Sequence, residues 1–131
     1  MSTDFDWHSG WVRSVIELKN GNLTSSSWDG TIKIWKDGVC IQTLKGHTGW
    51  VNSVIELKNG NLASASDDHT IKIWKDGVCI QTLKEHNGCV RSVIELKNGN
   101  LASASWDKSI KIWKDGVCLQ TLIGIVVGLD L

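Results

Sequence analysis

The nine residues IKIWKDGVC occur three times without a change, at 32–40, 71–79 and 110–118. His8, His47 and His86 stand 39 residues apart, and so do Trp35, Trp74 and Trp113. A fixed period of this length marks solenoids, propellers and arrays, in which each unit buries its apolar surface only against a neighbour. One unit can therefore be read and multiplied.

The unit 47–85 has no proline and is punctuated by two turn dipeptides, Asn59-Gly60 and Asp76-Gly77. Both tolerate the positive φ of a type I′ turn, whose twist matches the strands of a tight hairpin. Around them run Val51 to Leu57, Leu62 to Ser66, Thr70 to Trp74 and Val78 to Leu83, of strand length and rich in β-branched residues. Four antiparallel strands per unit follow. Their alternation is imperfect: in IKIW the isoleucines share one face and Trp74 takes the other, while Leu62 to Ser66 is small on both. A sheet covered on both faces suits radial stacking around an axis, a propeller, better than a sandwich, which would alternate apolar and polar residues cleanly.

The 131 residues are 41% hydrophobic, enough for a modest core. Fourteen basic residues balance fourteen acidic ones, so no summed field steers the chain toward a phosphate backbone or an anionic bilayer. Nucleic acid and membrane are therefore not expected as partners. No apolar run is long enough to span a bilayer, and Met1 to Asp6 is polar and acidic, unlike a signal peptide. These features lead us to expect a cytoplasmic protein. Cys40, Cys79 and Cys118 share one repeat position and Cys89 stands alone, so free thiols are expected. Metal-ligand spacing is absent, and neither metal nor cofactor is expected.

Gly46-His47, the stretch SASDDHTIKIW at 64–74 and the 39-residue period resemble the WD-repeat β-propeller family. The resemblance covers Trp7 to Leu122, with histidine, serine, aspartate and tryptophan recurring at one spacing. It departs where the family's Trp-Asp is Trp-Lys, at Trp35, Trp74 and Trp113, and where its Gly-His is Trp7-His8 or Glu85-His86. The expected fold is all-β, with three four-stranded antiparallel blades.

His8, Ser27 and Asp29 have the composition of a nucleophilic triad, in which a base must reach a hydroxyl. The set repeats as His47, Ser66, Asp68 and as His86, Ser105, Asp107, and three equivalent active sites without a pocket would be odd. No enzyme is expected. The resemblance instead implies a structural network: aspartate accepts from histidine, histidine contacts serine, and serine reaches the indole N–H of Trp35, Trp74 or Trp113. Such a network satisfies buried polar groups and locks the interblade loop onto the sheet.

Function is then sought in what differs between units. The turns KNGN and KDGV are constant, whereas Ser9/Thr48/Asn87, Trp11/Trp50/Cys89, Arg13/Asn52/Arg91, Trp28/Asp67/Trp106 and Gly30/His69/Lys108 change. The constant turns fall on one face of a ring and the variable positions on the other, the face that the resembled family commonly uses for proteins or peptides. Trp11, Arg13, Trp28, Trp50, Asn52, Asp67, Arg91 and Trp106 form the expected partner surface, rich in residue types that dominate interface energetics. Trp28 and Trp106 are expected to be exposed. Trp11 and Trp50 stand equally for packing between blades or for display. A structural propeller without a specific ligand is the alternative.

The boundaries read as 1–6 for an N-terminal tail, 7–46, 47–85 and 86–122 for the blades, and 123–131 for an apolar tail. Propellers usually have about four to eight blades, so three are expected to close into a ring by head-to-tail homo-oligomerisation. A nine-bladed trimer is favoured over a six-bladed dimer, which would crowd Trp11 and Trp50 toward the axis. Completion of another protein's ring is a third route.

Overall fold

The computed structural model describes residues 7–123, which form three four-stranded antiparallel sheets. The first holds β1 (Val12–Glu17), β2 (Leu23–Ser27), β3 (Thr31–Lys36) and β4 (Val39–Lys45). The second holds β5 (Val51–Glu56), β6 (Leu62–Ser66), β7 (Ile71–Lys75) and β8 (Val78–Leu83). The third holds β9 (Val90–Glu95), β10 (Leu101–Ser105), β11 (Ser109–Lys114) and β12 (Val117–Ile123). Within each sheet the strands lie in chain order, so every blade is complete in one unit. Ile123, assigned from sequence to the tail, still pairs with Ser109 as the last strand residue. Met1 to Asp6 and the rest of the apolar tail lie outside the described residues.

Turn chemistry sets the register. Asp37 and Gly38 have φ of 52° and 82°, and the same pair of positive values recurs at Asp76-Gly77 and Asp115-Gly116, as a type I′ hairpin requires. The Asn-Gly turn differs from expectation, since at Asn20-Gly21 only the glycine has positive φ. The Gly21 N–H donates to the Leu18 carbonyl at 2.8 Å, and the Asn20 side chain accepts from the Asn22 N–H at 2.9 Å. With its side chain engaged on the backbone, asparagine stays at negative φ and the loop widens to a turn followed by left-handed glycine.

The core lies between blades rather than within one. Leu18, Ile32 and Leu44 of the first blade pack on Val51, Val54, Leu62 and Trp74 of the second. Leu57, Ile71 and Leu83 of the second pack in the same way on Val90, Val93 and Trp113 of the third. Ile71 thus points forward and Trp74 backward, the split expected for IKIW. Each fully buried aliphatic side chain contributes about 1.5 to 3 kcal/mol, so adhesion between blades carries most of the fold. The inner strands β1, β5 and β9 lie side by side along this row.

Candidate functional site

Two groups of side chains carry the chemistry, one constant and one variable. In the constant group, the His8 Nδ1–H donates to Asp29 Oδ2 at 2.9 Å, and His8 Nε2 lies 2.6 Å from Ser25 Oγ. The Trp35 Nε1–H donates to the same Ser25 oxygen at 2.9 Å. The Asp29 carboxylate can only accept, which places a hydrogen on His8 Nδ1; in the neutral ring Nε2 then accepts from the Ser25 hydroxyl, whose oxygen in turn accepts from the indole. The second blade repeats the chain through His47, Asp68, Ser64 and Trp74, and the third through His86, Asp107, Ser103 and Trp113.

A further hydroxyl completes each set. Thr31 donates to Asp29 Oδ1 through its backbone N–H at 2.8 Å and its hydroxyl at 2.6 Å. Thr70 and Ser109 do the same for Asp68 and Asp107. Burial alone would push these carboxyls up, but the donated hydrogen bonds outweigh it. Asp29 is held at about 2 by Thr31, His8 and the Ser9 N–H. Asp68 and Asp107 are also held below the ordinary carboxylate range.

The serine of this chain is Ser25, Ser64 or Ser103, and not Ser27, Ser66 or Ser105 as expected. All six face the same side of their strands, two residues apart. Those nearer the turn accept from the backbone N–H of Asp29, Asp68 and Asp107 at 3.0 to 3.1 Å, closing the tight loop at the strand end. The set has the outline of a nucleophilic relay, but the Ser64 side chain is fully buried and its oxygen is already engaged. In the second blade a substrate carbonyl has no approach to it; in the first, Ser25 is 5% exposed and lines an open apolar groove together with His8, its oxygen engaged in the same way. Among the described residues no cluster of histidine, cysteine or carboxylate side chains could hold a metal.

The variable group lies at the mouths of the inner strands. Trp11 stacks on Trp28 with centroids 4.6 Å apart, and Trp28 stacks on Trp50 of the next blade at 3.6 Å and 9°. The Arg13 guanidinium sits 5.3 Å from the Trp28 ring centroid. Trp28 is therefore sandwiched and half-buried, contrary to the exposure expected of it, because an indole from either side covers it. Trp11 and Trp50 both pack and show, each stacked on one side and exposed on the other.

In the second blade Asp67 replaces tryptophan and the chemistry turns polar. The Asn52 Nδ2–H2 group donates to Asp67 at 2.7 Å and to the Val90 carbonyl at 2.9 Å. Arg91 reaches back to Asn52 at 3.4 Å and Asp67 at 3.5 Å, and its guanidinium lies 4.8 Å from the centroid of the exposed Trp106. Burial, and then the charge of Asp67, push the neighbouring Cys89 thiol up, away from the reactive thiolate.

The family description "WD domain, G-beta repeat" matches residues 2–36, 38–75 and 77–114. The chain belongs to the WD-repeat family. Comparison with curated protein sequences gives no match. Among solved structures, the crystal structure of the WD40 beta propeller domain of Doa1 superimposes with a TM-score of 0.79 at 32% identity, over 90% of this chain and 41% of that one. The chain thus spans well under half the length of that WD40 domain. Propellers of this family commonly serve as protein-interaction scaffolds and are generally not enzymes.

The WD-repeat match is out of phase with the blades. Each matched segment ends just after the third-strand tryptophan, so the second runs from 38 to 75 and joins β4 of the first blade to β5, β6 and β7 of the second. Sequence reasoning missed the aspartate-binding hydroxyls Thr31, Thr70 and Ser109. Their signal was present, since a hydroxyl residue holds that position in all three WD repeats. It also missed Trp7, whose ring lies 5.6 Å from that of Trp35.

Proposed function

We propose that this WD-repeat chain is a non-enzymatic protein-interaction scaffold of the cytoplasm, a propeller completed by further copies of itself. Its partner is a protein or peptide, taken on the face that carries the variable residues. This reading is supported by the contacts that join these residues into one run, of which Trp11 and Trp106 are exposed, whereas Asn52, expected on the partner surface, is buried at 8% because its amide bonds Asp67 and the Val90 carbonyl. The Trp11, Trp28 and Trp50 stack runs under Arg13 into the Asn52, Asp67 and Arg91 cluster and on to Trp106. Flat indole faces, two guanidinium forks and one carboxylate suit a peptide that offers apolar and charged side chains together.

Head-to-tail closure by copies supplies the remaining blades. Nine blades in a trimer are favoured over six in a dimer, because stacked indoles at the channel mouth resist crowding toward the axis. The second reading, a self-assembling propeller without a specific ligand, draws support from the stack itself, since both faces of Trp28 are already occupied.

The test is a peptide selected by display against the wild-type protein. Arg13→Ala with Arg91→Ala weakens its binding about tenfold, the scale of losing interface anchors. Lys36→Ala with Lys75→Ala, at the constant hairpins, leaves it unchanged. Equal affinity in both variants contradicts display on the variable face.

A further inference from the structure

Among the described residues the blade row leaves one sheet face open at each end, and the two faces have the residues of the two halves of one junction. Val12 and Val15 of the first blade are 57% and 59% exposed, whereas their repeats Val51 and Val54 are buried at 0% and 2% against the preceding blade. Together with Leu23, Trp35 and Trp7 they line an open apolar groove. At the other end Ile110 and Leu122 of the third blade are each 44% exposed, while their repeats Ile32 and Leu44 are buried at 0% and 1% against the following blade.

Polar groups divide in the same way. At both internal junctions a lysine backbone N–H, of Lys19 or Lys58, donates to the glutamate of the next blade, Glu56 or Glu95, at 2.8 Å. The periodic continuation is Lys97 onto Glu17. Gln42 and Gln81 lay their amides in the space that a Cβ at Gly77 and Gly116 would take, whereas the space at Gly38 is open and its periodic partner is Gln120. What fits each open face is thus a blade of this very sequence, and the occupant to which the observations commit is a second copy.

The variable residues decide how that junction is finished. The internal junctions are of two kinds: Trp28 on Trp50 at the first, and the Asp67, Asn52 and Arg91 cluster at the second. The residues at the open ends are Trp106, the repeat of Trp28, and Trp11, the repeat of Trp50. They are 66% and 71% exposed. The outer junction therefore carries the aromatic pair and not the polar one.

We infer that Trp106 of one copy stacks on Trp11 of the next, so that assembly extends the three-indole stack to four indoles running across the boundary between copies. This inference rests on closure by copies and assigns the two most exposed variable indoles to it. It also fixes direction, since Trp106 finds no equivalent mate on another third blade.

Trp106→Ala is the test, because within its own chain this side chain meets the Arg91 guanidinium and is otherwise largely exposed. Light scattering behind size exclusion, run over a dilution series, gives the concentration at which the assembly falls apart. Trp106→Ala raises it at least tenfold, Trp106→Phe recovers most of the loss, and the melting temperature of the dilute dissociated chain is the same for all three. If the wild type assembles and Trp106→Ala dissociates at the same concentration, the stack is overturned while closure by copies stands. If the wild type is a monomer at micromolar concentration, whatever covers its third blade, both fall together.

Discussion

The junction between the first and second blades and the junction between the second and third share the large side chains of their cores and differ in two small buried positions, Thr24 and Ser26 against Ala63 and Ala65, and in the rim. Both bury the same isoleucine, leucine, valine and tryptophan positions. At the ends of the inner strands the first stacks Trp28 on Trp50, and the second ties Asp67 to Asn52 and Arg91. The constant core supplies adhesion, which every blade needs equally. The rim is free to vary because the core already supplies most of the adhesion, and so it can distinguish one neighbour from another.

The largest expected effect tests whether the cores are equivalent. Trp74→Ala and Trp113→Ala each remove a buried indole that lies between blades. Each is expected to destabilise by about 4 kcal/mol in urea unfolding. A difference between them well beyond about 1 kcal/mol would mean that Thr24 and Ser26, in place of Ala63 and Ala65, change how the first core holds its indole.

Next comes the polar chain inside each blade. Ser64→Ala strands the Trp74 indole N–H and His47 Nε2 together, and should cost about 3 kcal/mol. Ser66→Ala removes one acceptor at the turn and should cost about 1 kcal/mol. The reverse order would return the network to the serine first expected from sequence.

Acid probes all three chains at once. A carboxyl whose folded pKa lies below its unfolded value stabilises the fold above the unfolded value and loses that contribution as pH falls through the folded one. Asp29 sits at about 2 against an ordinary 3.8, and Asp68 and Asp107 are lowered in the same sense. The urea midpoint should therefore fall steadily from pH 5 toward pH 2. Asp68→Asn should flatten that slope, and an unchanged slope in the variant would remove Asp68 from the explanation.

The smallest effects separate the rims. Trp50→Ala loses the interblade stack, with about 2 kcal/mol expected from area and stacking together. Arg91→Ala loses a partly exposed ion pair, with under about 1 kcal/mol expected, shrinking further in 1 M salt. Equal losses with equal salt dependence would erase the distinction between the two junctions.

The blade was legible in the sequence because its causes are local. The period, the Asp-Gly turns and the two-faced IKIW strand each act within a few residues. What escaped depends on register or on neighbours. Ser25 and Ser27 lie on the same face of β2, and an alternation of period two cannot rank them. The cover on Trp28 comes from Trp50, 22 positions away in another blade, so the residue's own loop gave no sign of it. The resemblance to the family named the kinds of residue in the network, but the serine was placed at Ser27, Ser66 and Ser105, two residues from the one that joins them. The matching of the two open faces appears only when one residue is compared with its own repeats in covered and uncovered blades.

The most direct measurement is the solution mass of the wild-type chain at micromolar concentration, by light scattering behind size exclusion. Closure by copies predicts three times the 14.4 kDa chain mass, a nine-bladed ring. Twice that mass would keep closure and put six blades in its place. A particle of 14.4 kDa would contradict it, leaving Val12, Val15, Ile110 and Leu122 uncovered by any second copy.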